Sequence, residues 1–231
     1  MSMSAMTFAQ DNAIKLRIGS LLASTGYLEY ERAINEKSSF TGSVHFTKAK
    51  IAQLQDVFES DGGDDGTVDL STPTLSGFGI TLEYRMYTSS NKDGLSGFYF
   101  SPFLRHSQYT IGVESLFTED DGDVFVGKQA LTLQNNLGLG VSIGTHFNAG
   151  EHISIDVTWI GLGISFSKLK GEITTDDKSI DFRDAAEDIA QEVEENAYLS
   201  SFEVTQNKAT VTSSGFILPI IRGNISIGYR F

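Results

Sequence analysis

Apolar and polar residues alternate along several stretches of the chain, the pattern of β-strands with one apolar and one polar face. The last stretch, residues 215–231, shows what the pattern implies. Its apolar face carries Ile217, Pro219, Ile221, Ile225, Ile227, Tyr229 and Phe231. Its other face carries Arg222, Asn224, Ser226, Gly228 and Arg230. In a transmembrane β-barrel, two such walls are the lipid side and the lumen side.

Eight segments show this alternation, and in the seventh the apolar positions change phase near Trp159, which predicts a β-bulge. The segments lie at about 12–22, 27–31, 40–46, 78–86, 98–105, 131–147, 153–168 and 215–231. Short connections near 35–38, 91 and 148–152 alternate with long ones at 47–76, 114–129 and 171–208. Short turns on one side and long loops on the other are typical of outer-membrane barrels, in which an even strand number closes the sheet.

We therefore expect an all-β fold: an eight-stranded antiparallel up-and-down transmembrane β-barrel with short periplasmic turns and long acidic outer loops. Residues 11–231 form its single domain. Residues 1–10 (MSMSAMTFAQ) are similar to the end of a secretory signal peptide and are expected to be its remnant. An ordinary flexible terminus is the alternative.

The formal charge of -13 is concentrated in the expected loops, because most of the 30 acidic residues lie within 56–69, 114–123 and 172–203. The charged residues of the strands fall on the expected lumen face. They are Lys15, Arg17, Glu29, Glu31, Glu83, Arg85, Arg105, Asp156, Arg222 and Arg230. Unpaired charges would be costly inside a barrel, so we expect a lumen charge network of mutual pairs that plugs an interior only wide enough for side chains.

Two loop segments have helical periodicity, so at least one loop is expected to be partly helical. The first is 48–58, with Ile51, Leu54 and Phe58 on one face. The second is 181–199, whose apolar stripe is Phe182, Ala186, Ile189 and Val193. This second stripe packs on the rim of the barrel or on another loop, or it binds a partner protein.

Candidate chemistry is sparse, and we expect no catalytic site, metal site or cofactor. Acidic turns at 60–66 and 119–123 lack the ligand spacing of an EF-hand, which leaves calcium binding a minor alternative. The four histidines show no metal-ligand spacing. Ser142 and His146 share the lumen face but lie about 13 Å apart along a strand. A cross-strand partner such as Asp156 keeps a lipid-modifying enzyme as a weaker alternative. No basic patch favours nucleic-acid binding.

The chain end resembles the C-terminal signature of Gram-negative outer-membrane barrels. That resemblance implies an assembly signal, formed by Ile225, Ile227, Tyr229 and Phe231, that the outer-membrane assembly machinery recognises. It also implies the outer membrane as the location, with the lipid bilayer around the strands and the long loops facing outside the cell.

Nearly the whole chain except the long loops resembles an uncharacterised family of small outer-membrane barrels. The matching stretches are 12–22, 27–33 (YLEYERA), 82–87 (LEYRMY), 97–105 (GFYFSPFLR) and 225–231 (ISIGYRF). The family supplies no catalytic residues to carry over. We interpret the chain as a structural or recognition subunit of a larger surface protein complex, with a narrow pore as the alternative. A soluble barrel with a ligand cavity would instead direct its apolar residues inward.

Overall fold

The computed structural model describes residues 12–22, 24–51, 72–88, 95–118, 124–177 and 181–231. Within them, ten antiparallel strands form one sheet. The strands are β1 Asn12–Arg17, β2 Thr25–Asn35, β3 Ser38–Lys50, β4 Thr74–Tyr87, β5 Gly97–Thr118, β6 Val124–Ala149, β7 Ile153–Thr175, β8 Leu199–Thr205, β9 Lys208–Ser213 and β10 Phe216–Arg230. The helices are α1 Ile18–Leu22, a short 3-10 helix Phe182–Ala185 and α2 Ala186–Glu195.

The sheet closes on itself because β10 pairs with both β1 and β7. Ile227 is opposite Leu16 on one side and Ile155 on the other, so β1 to β7 and β10 form a ring of eight strands. β9 pairs with residues 170–174 of β7, beyond the end of β10, and β8 pairs with β9. The predicted all-β antiparallel architecture is confirmed at this level, whereas the β8–β9 hairpin was not predicted.

Alternation sets which side chains face outward. In β4, Leu82, Tyr84 and Met86 are exposed, whereas Glu83 and Arg85 between them are buried. The same holds around the ring, so the interior is mainly polar and the exterior mainly apolar. A small apolar cluster inside consists of Tyr87, Leu95 and Tyr99. No described helix has both the length and the apolarity needed to cross a membrane.

The predicted bulge near Trp159 is confirmed. Across the β6–β7 pair, Ile143 is opposite Ile160 and Gly144 is opposite Thr158, which leaves Trp159 without a partner residue. Trp159 and Ile160 are consequently both exposed on the outer wall. The bulge explains how one strand keeps an apolar exterior although its apolar residues change phase.

The first predicted strand was too long. β1 ends at Arg17 and residues 18–22 form α1. The consecutive Leu21 and Leu22 break the period of two, and the Ser20 hydroxyl donates to the Arg17 carbonyl at 3.0 Å. A side chain bonded to the local backbone in this way competes with a strand ladder.

The predicted long loops are shortened by strands. The region 114–129 is largely a hairpin, paired from Val113↔Gln129 to Thr118↔Val124. The region 171–208 contains the end of β7, both helical segments and β8. Lys48 to Lys50 belong to β3, not to a helix. The rest of 48–58 except Ile51, both acidic turns and residues 1–10 lie outside the described residues.

Candidate functional site

The charged residues inside the ring come from neighbouring strands at matching heights. Lys15 of β1 is opposite Glu29 of β2, and His146 of β6 is opposite Asp156 of β7. Arg85 of β4 enters at a similar height, opposite Ser39 of β3. Because alternate positions of each strand face inward, every one of these side chains points to the same enclosed space.

Lys15 and Arg85 share the carboxylates at the centre of this network. The Lys15 ammonium pairs with Glu31 and lies 2.6 Å from Asp156 and 3.6 Å from Glu29. The Arg85 guanidinium pairs with Asp156 and lies 2.8 Å from Glu31 and 3.0 Å from Glu29. All five side chains are essentially inaccessible to solvent.

Two tyrosines complete the central group. Tyr87 donates its hydroxyl proton to Glu31 at 2.6 Å, and Tyr99 donates to Asp156 at 2.9 Å. The guanidinium of Arg85 also lies over the ring of Tyr99, 4.6 Å from its centroid. The tyrosines bond Glu31 Oε1 and Asp156 Oδ1, whereas Lys15 and Arg85 bond the other oxygen of each carboxylate.

A second group extends the network around the ring. Arg222 of β10 pairs with Glu83 and lies over Phe103, 4.8 Å from the ring centroid. Arg17 lies 3.5 Å from Glu29 and 3.5 Å above the centroid of Tyr27. Four cations and four carboxylates therefore balance within the two groups, which together fill this part of the interior.

Two further residues of the predicted lumen network behave differently. Arg105 donates to the Tyr109 hydroxyl at 2.9 Å and takes part in no ion pair among the described residues. Tyr109 also bonds His45 at 2.8 Å. Arg230 is buried close to the chain end, and its backbone N–H donates to the His152 carbonyl at 2.7 Å.

One trio could hold a metal ion by distance alone, because ligand atoms of Glu31, His146 and Asp156 lie within 4.8 Å of one another. Lys15 and Arg85 already bond both carboxylates, however, and a divalent cation would add charge to a balanced group. The geometry therefore favours ion pairing over metal binding at this position.

The arrangement does not bring Ser142 and His146 together. His146 Nδ1 lies 3.3 Å from the Tyr87 hydroxyl and 3.7 Å from Glu31, and the buried Ser142 hydroxyl has no hydrogen-bond partner among the described residues. A serine nucleophile needs a base within hydrogen-bond reach. The weaker enzyme alternative finds no support in this geometry.

The residues of the predicted assembly signal lie on the outer wall. Ile225, Ile227, Tyr229 and Phe231 are all exposed there. Tyr229 stacks on His152 at 5.2 Å, and the Phe231 N–H donates to the Asn12 carbonyl at 3.0 Å. The final residue is thereby tied to the first described strand.

The apolar stripe of α2 turns toward the protein itself. Phe182, Ala186, Ile189 and Val193 are all half-buried. Ile189 lines an apolar cleft of about 430 Å³ together with Ile111, Val113, Gln129, Ala130, Leu131, Gly171, Glu172, Ile173, Ala209 and Val211. Ile189 thus faces other residues of the chain across the cleft, while packing of the whole stripe on the rim and partner binding by it both stay predictions.

Sequence reasoning missed the cleft and the two tyrosines of the network. Tyr99 lies on the polar face of its predicted strand, so its inward position was available as a signal. Tyr87 follows Arg85 by two positions and shares its inward face. The cleft had no comparable signal, because it depends on β9 and α2 folding back over the ends of β5, β6 and β7.

A family model described as "Protein of unknown function (DUF3575)" matches residues 1–179. No curated protein matches the sequence. Among solved structures, the chain is similar to a major outer membrane protein from Thermus thermophilus, at 13% identity and a TM-score of 0.46. The alignment covers 95% of this chain and 98% of that one.

Proposed function

We propose that this chain, which belongs to the DUF3575 family of proteins of unknown function, crosses the outer membrane as a closed eight-stranded barrel. We further propose that its plugged barrel serves as a structural or recognition subunit of a surface protein complex. The observation that carries the proposal is the inversion of normal burial. Exposed apolar side chains surround buried ion pairs, which suits a hydrocarbon solvent and not water.

The apolar outer wall has the dimensions of a membrane crossing. In β4 the outward apolar residues extend from Phe78 to Met86, nine residues. A tilted strand needs about 9–11 residues to cross the hydrocarbon core. The ring therefore offers lipid a band of suitable height, with no lipid-facing charge in this part of β4.

On three neighbouring strands, β5, β6 and β7, the outward-facing residues change from apolar to polar at the same height. The outward residues Leu137 and Phe166 are paired and exposed. Farther along, Gln134 is opposite both Gln108 and Lys168. The change from apolar to polar at one height supports a membrane–water boundary there, because a charged side chain is costly inside the hydrocarbon region.

The buried network supports a structural role over a pore. Lys15, Arg85 and their carboxylate partners occupy the interior at full burial, and eight strands enclose little more than side-chain volume. An ion crossing the barrel would have to disrupt pairs that are costly to separate. Binding of partner proteins is then expected at the segments outside the ring, including α2 and the β8–β9 hairpin.

Membrane embedding can be tested with the single tryptophan of the chain. Trp159 is 61% exposed on the outer wall, about midway between Ile153 and Phe166. In vesicles, its fluorescence should be quenched more by lipids brominated deep in the acyl chain than by lipids brominated near the headgroup. In the matched control, Trp159→Phe with Thr174→Trp, the deep quencher should have little effect. Quenching of Trp159 by aqueous iodide instead would overturn the membrane assignment.

The subunit role needs a separate experiment. The tagged protein, extracted from native outer membranes in mild detergent, should migrate with partner proteins on a native gel. A variant in which a short Gly-Ser turn replaces residues 181–213 should still form the heat-modifiable barrel but lose those partners. Recovery of the intact protein alone would contradict the role while leaving the membrane assignment in place.

A further inference from the structure

The apolar cleft lies on the far side of the proposed membrane boundary, where the two faces of the strands exchange character. Along β7, Lys168, Lys170 and Glu172 occupy outward positions, whereas Ile173 faces inward. The outer wall is thus polar and the inner wall apolar, the reverse of the ring below. Contact with lipid explains the apolar outer wall of the ring, but it cannot explain an apolar inner wall that lies beyond the proposed membrane boundary.

The cleft exposes large apolar side chains to solvent. Leu131 is 42% exposed and Ile173 is 37% exposed, although both face the concave side. Contact of apolar surface with water is unfavourable in proportion to the area exposed. These residues would be stabilised by an apolar group placed in the cleft.

The shape of the cleft favours a small molecule over a protein surface. Ile189 of α2 joins the walls formed by Ile111 and Val211, so the space is enclosed on several sides. Its volume of about 430 Å³ lies within the range of about 300–1,000 Å³ usual for small-molecule sites. A flat or convex protein surface would not reach the walls beneath the helix.

The charges around the cleft indicate which small molecule fits. Glu187, Glu194 and Glu195 of α2 and Glu203 of β8 are exposed. Glu172, at the cleft itself, accepts from Lys170 at 3.0 Å and pairs with Lys208 at 2.9 Å. Hydrogen bonds from Lys208 and Lys170 hold the pKa of Glu172 below its usual value, so it stays ionised. Glu172 is the one ionisable residue among those that line the cleft, and the lining contains no cation that could pair with an anionic ligand.

We infer that this cleft is a binding site for a small, uncharged apolar molecule at the outer mouth of the barrel. Ile111, Leu131, Ile173, Ile189 and Val211 contact the ligand. The position of the site relative to lipid rests on the proposed membrane placement, whereas the binding itself is a separate property.

Photolabelling of the full chain in lipid nanodiscs tests the site. The probe is 3-trifluoromethyl-3-phenyldiazirine, a small neutral hydrocarbon-like compound, and tandem mass spectrometry locates its adducts. Adducts at 111–113, 129–131 and 209–211 should saturate with probe concentration. Decanol should compete with them, and decanoate should compete at least about tenfold more weakly, because the lining contains no cation to pair with its carboxylate and burying an unpaired charge is costly.

Matched variants distinguish binding of the probe in the cleft from non-specific labelling. Ile173→Asn, which puts an amide into the cleft, should raise the half-saturating probe concentration at least about tenfold, while Thr174→Asn on the opposite face should not change it. Ile189→Asn, on a helix outside the ring, should act in the same direction, with Gln191→Asn as its control. The pair on α2 keeps the test valid if Ile173→Asn prevents folding.

Absence of saturable adducts in the cleft would overturn the site, as would labelling that is unchanged in both cleft variants. Equal competition by decanol and decanoate would overturn the uncharged ligand class. The same spectra report on the membrane assignment independently. Non-saturating adducts on Leu139 and Ile164 are expected from lipid contact, and their absence would contradict the barrel's placement without affecting the result for the cleft.

Discussion

Each buried charge of the interior depends on several partners. Glu31 accepts from Lys15, Ser39, Arg85 and Tyr87. Burial of an ion costs several kcal/mol, which only multiple short contacts can offset. The network is therefore most sensitive to the loss of one shared carboxylate, because two cations then lose a partner together.

Glu31→Gln should destabilise the folded protein by about 3–5 kcal/mol, since it leaves the charges of Lys15 and Arg85 partly uncompensated. The measurement is the urea midpoint of the heat-modifiable folded form in detergent. Adding Lys15→Met to Glu31→Gln should recover part of the loss, because the excess positive charge is removed.

Glu151→Gln is the matched control, since Glu151 is exposed in the turn between β6 and β7. It should stay within about 0.5 kcal/mol of the parent. A midpoint for Glu31→Gln equal to that of this control would show that the buried pairs contribute little to stability.

At the scale of the strands, close approach of backbones fixes the β6–β7 seam. Gly140 is opposite Gly163, and both lie where a Cβ atom would collide with the facing strand. A Cβ on Gly140 would also lie 2.6 Å from the Phe103 ring, the same ring that Arg222 covers. The glycines thus let an aromatic side chain and a guanidinium fit inside a narrow ring.

Gly140→Ala should destabilise the folded protein by about 1–3 kcal/mol through overpacking. Gly215→Ala is a suitable control because no atom lies within 4 Å of its added Cβ. Urea midpoints of the two variants in the same detergent give the comparison. An unchanged midpoint for Gly140→Ala would contradict the close contact of β6 and β7, because it would mean that a methyl group fits between them.

The sequence predicted the faces of the strands better than their ends. Period-two alternation is local, so Glu83 and Arg85 could be assigned to the interior from their neighbours alone. The ends of β5, β6 and β7 were missed because polarity reverses there: Ile173 faces inward while Glu172 faces outward. A rule that equates apolar with outward cannot follow a strand across that reversal.

The partners within the network could not be predicted, for a different reason. Lys15 and Asp156 are separated by 141 residues and meet only because the ring closes. Arg105, which alternation puts on the same face, bonds Tyr109 instead of a carboxylate. Alternation gives the face of a residue, but the strand register and the closure of the ring give its neighbours.

In the whole molecule, the ion-pair network and the apolar cleft lie at opposite ends of the ring. The ion-pair network fills the ring near the short turns, with Glu31 four residues from Asn35 and Asp156 three residues from Ile153. The apolar cleft and α2 lie at the opposite end, beyond Lys168. A filled interior at one end of the ring and an apolar cleft at the other are expected of a recognition protein more than of a transport channel.

The filled interior leads to a prediction for the intact protein. Purified protein in a planar lipid bilayer should give no stable conductance at moderate voltage, because Lys15, Arg85 and Arg222 and their partners occupy the lumen. A general porin inserted in the same bilayer serves as the positive control, and heat modifiability of the same preparation shows that the barrel is folded.

The joint variant Arg222→Ala with Glu83→Ala removes a cation and its carboxylate together, which leaves the charge balanced but widens the lumen. If removal of side chains opens a path for ions, currents should appear in this variant and not in the parent protein. Steady currents through the parent protein would identify it as a pore.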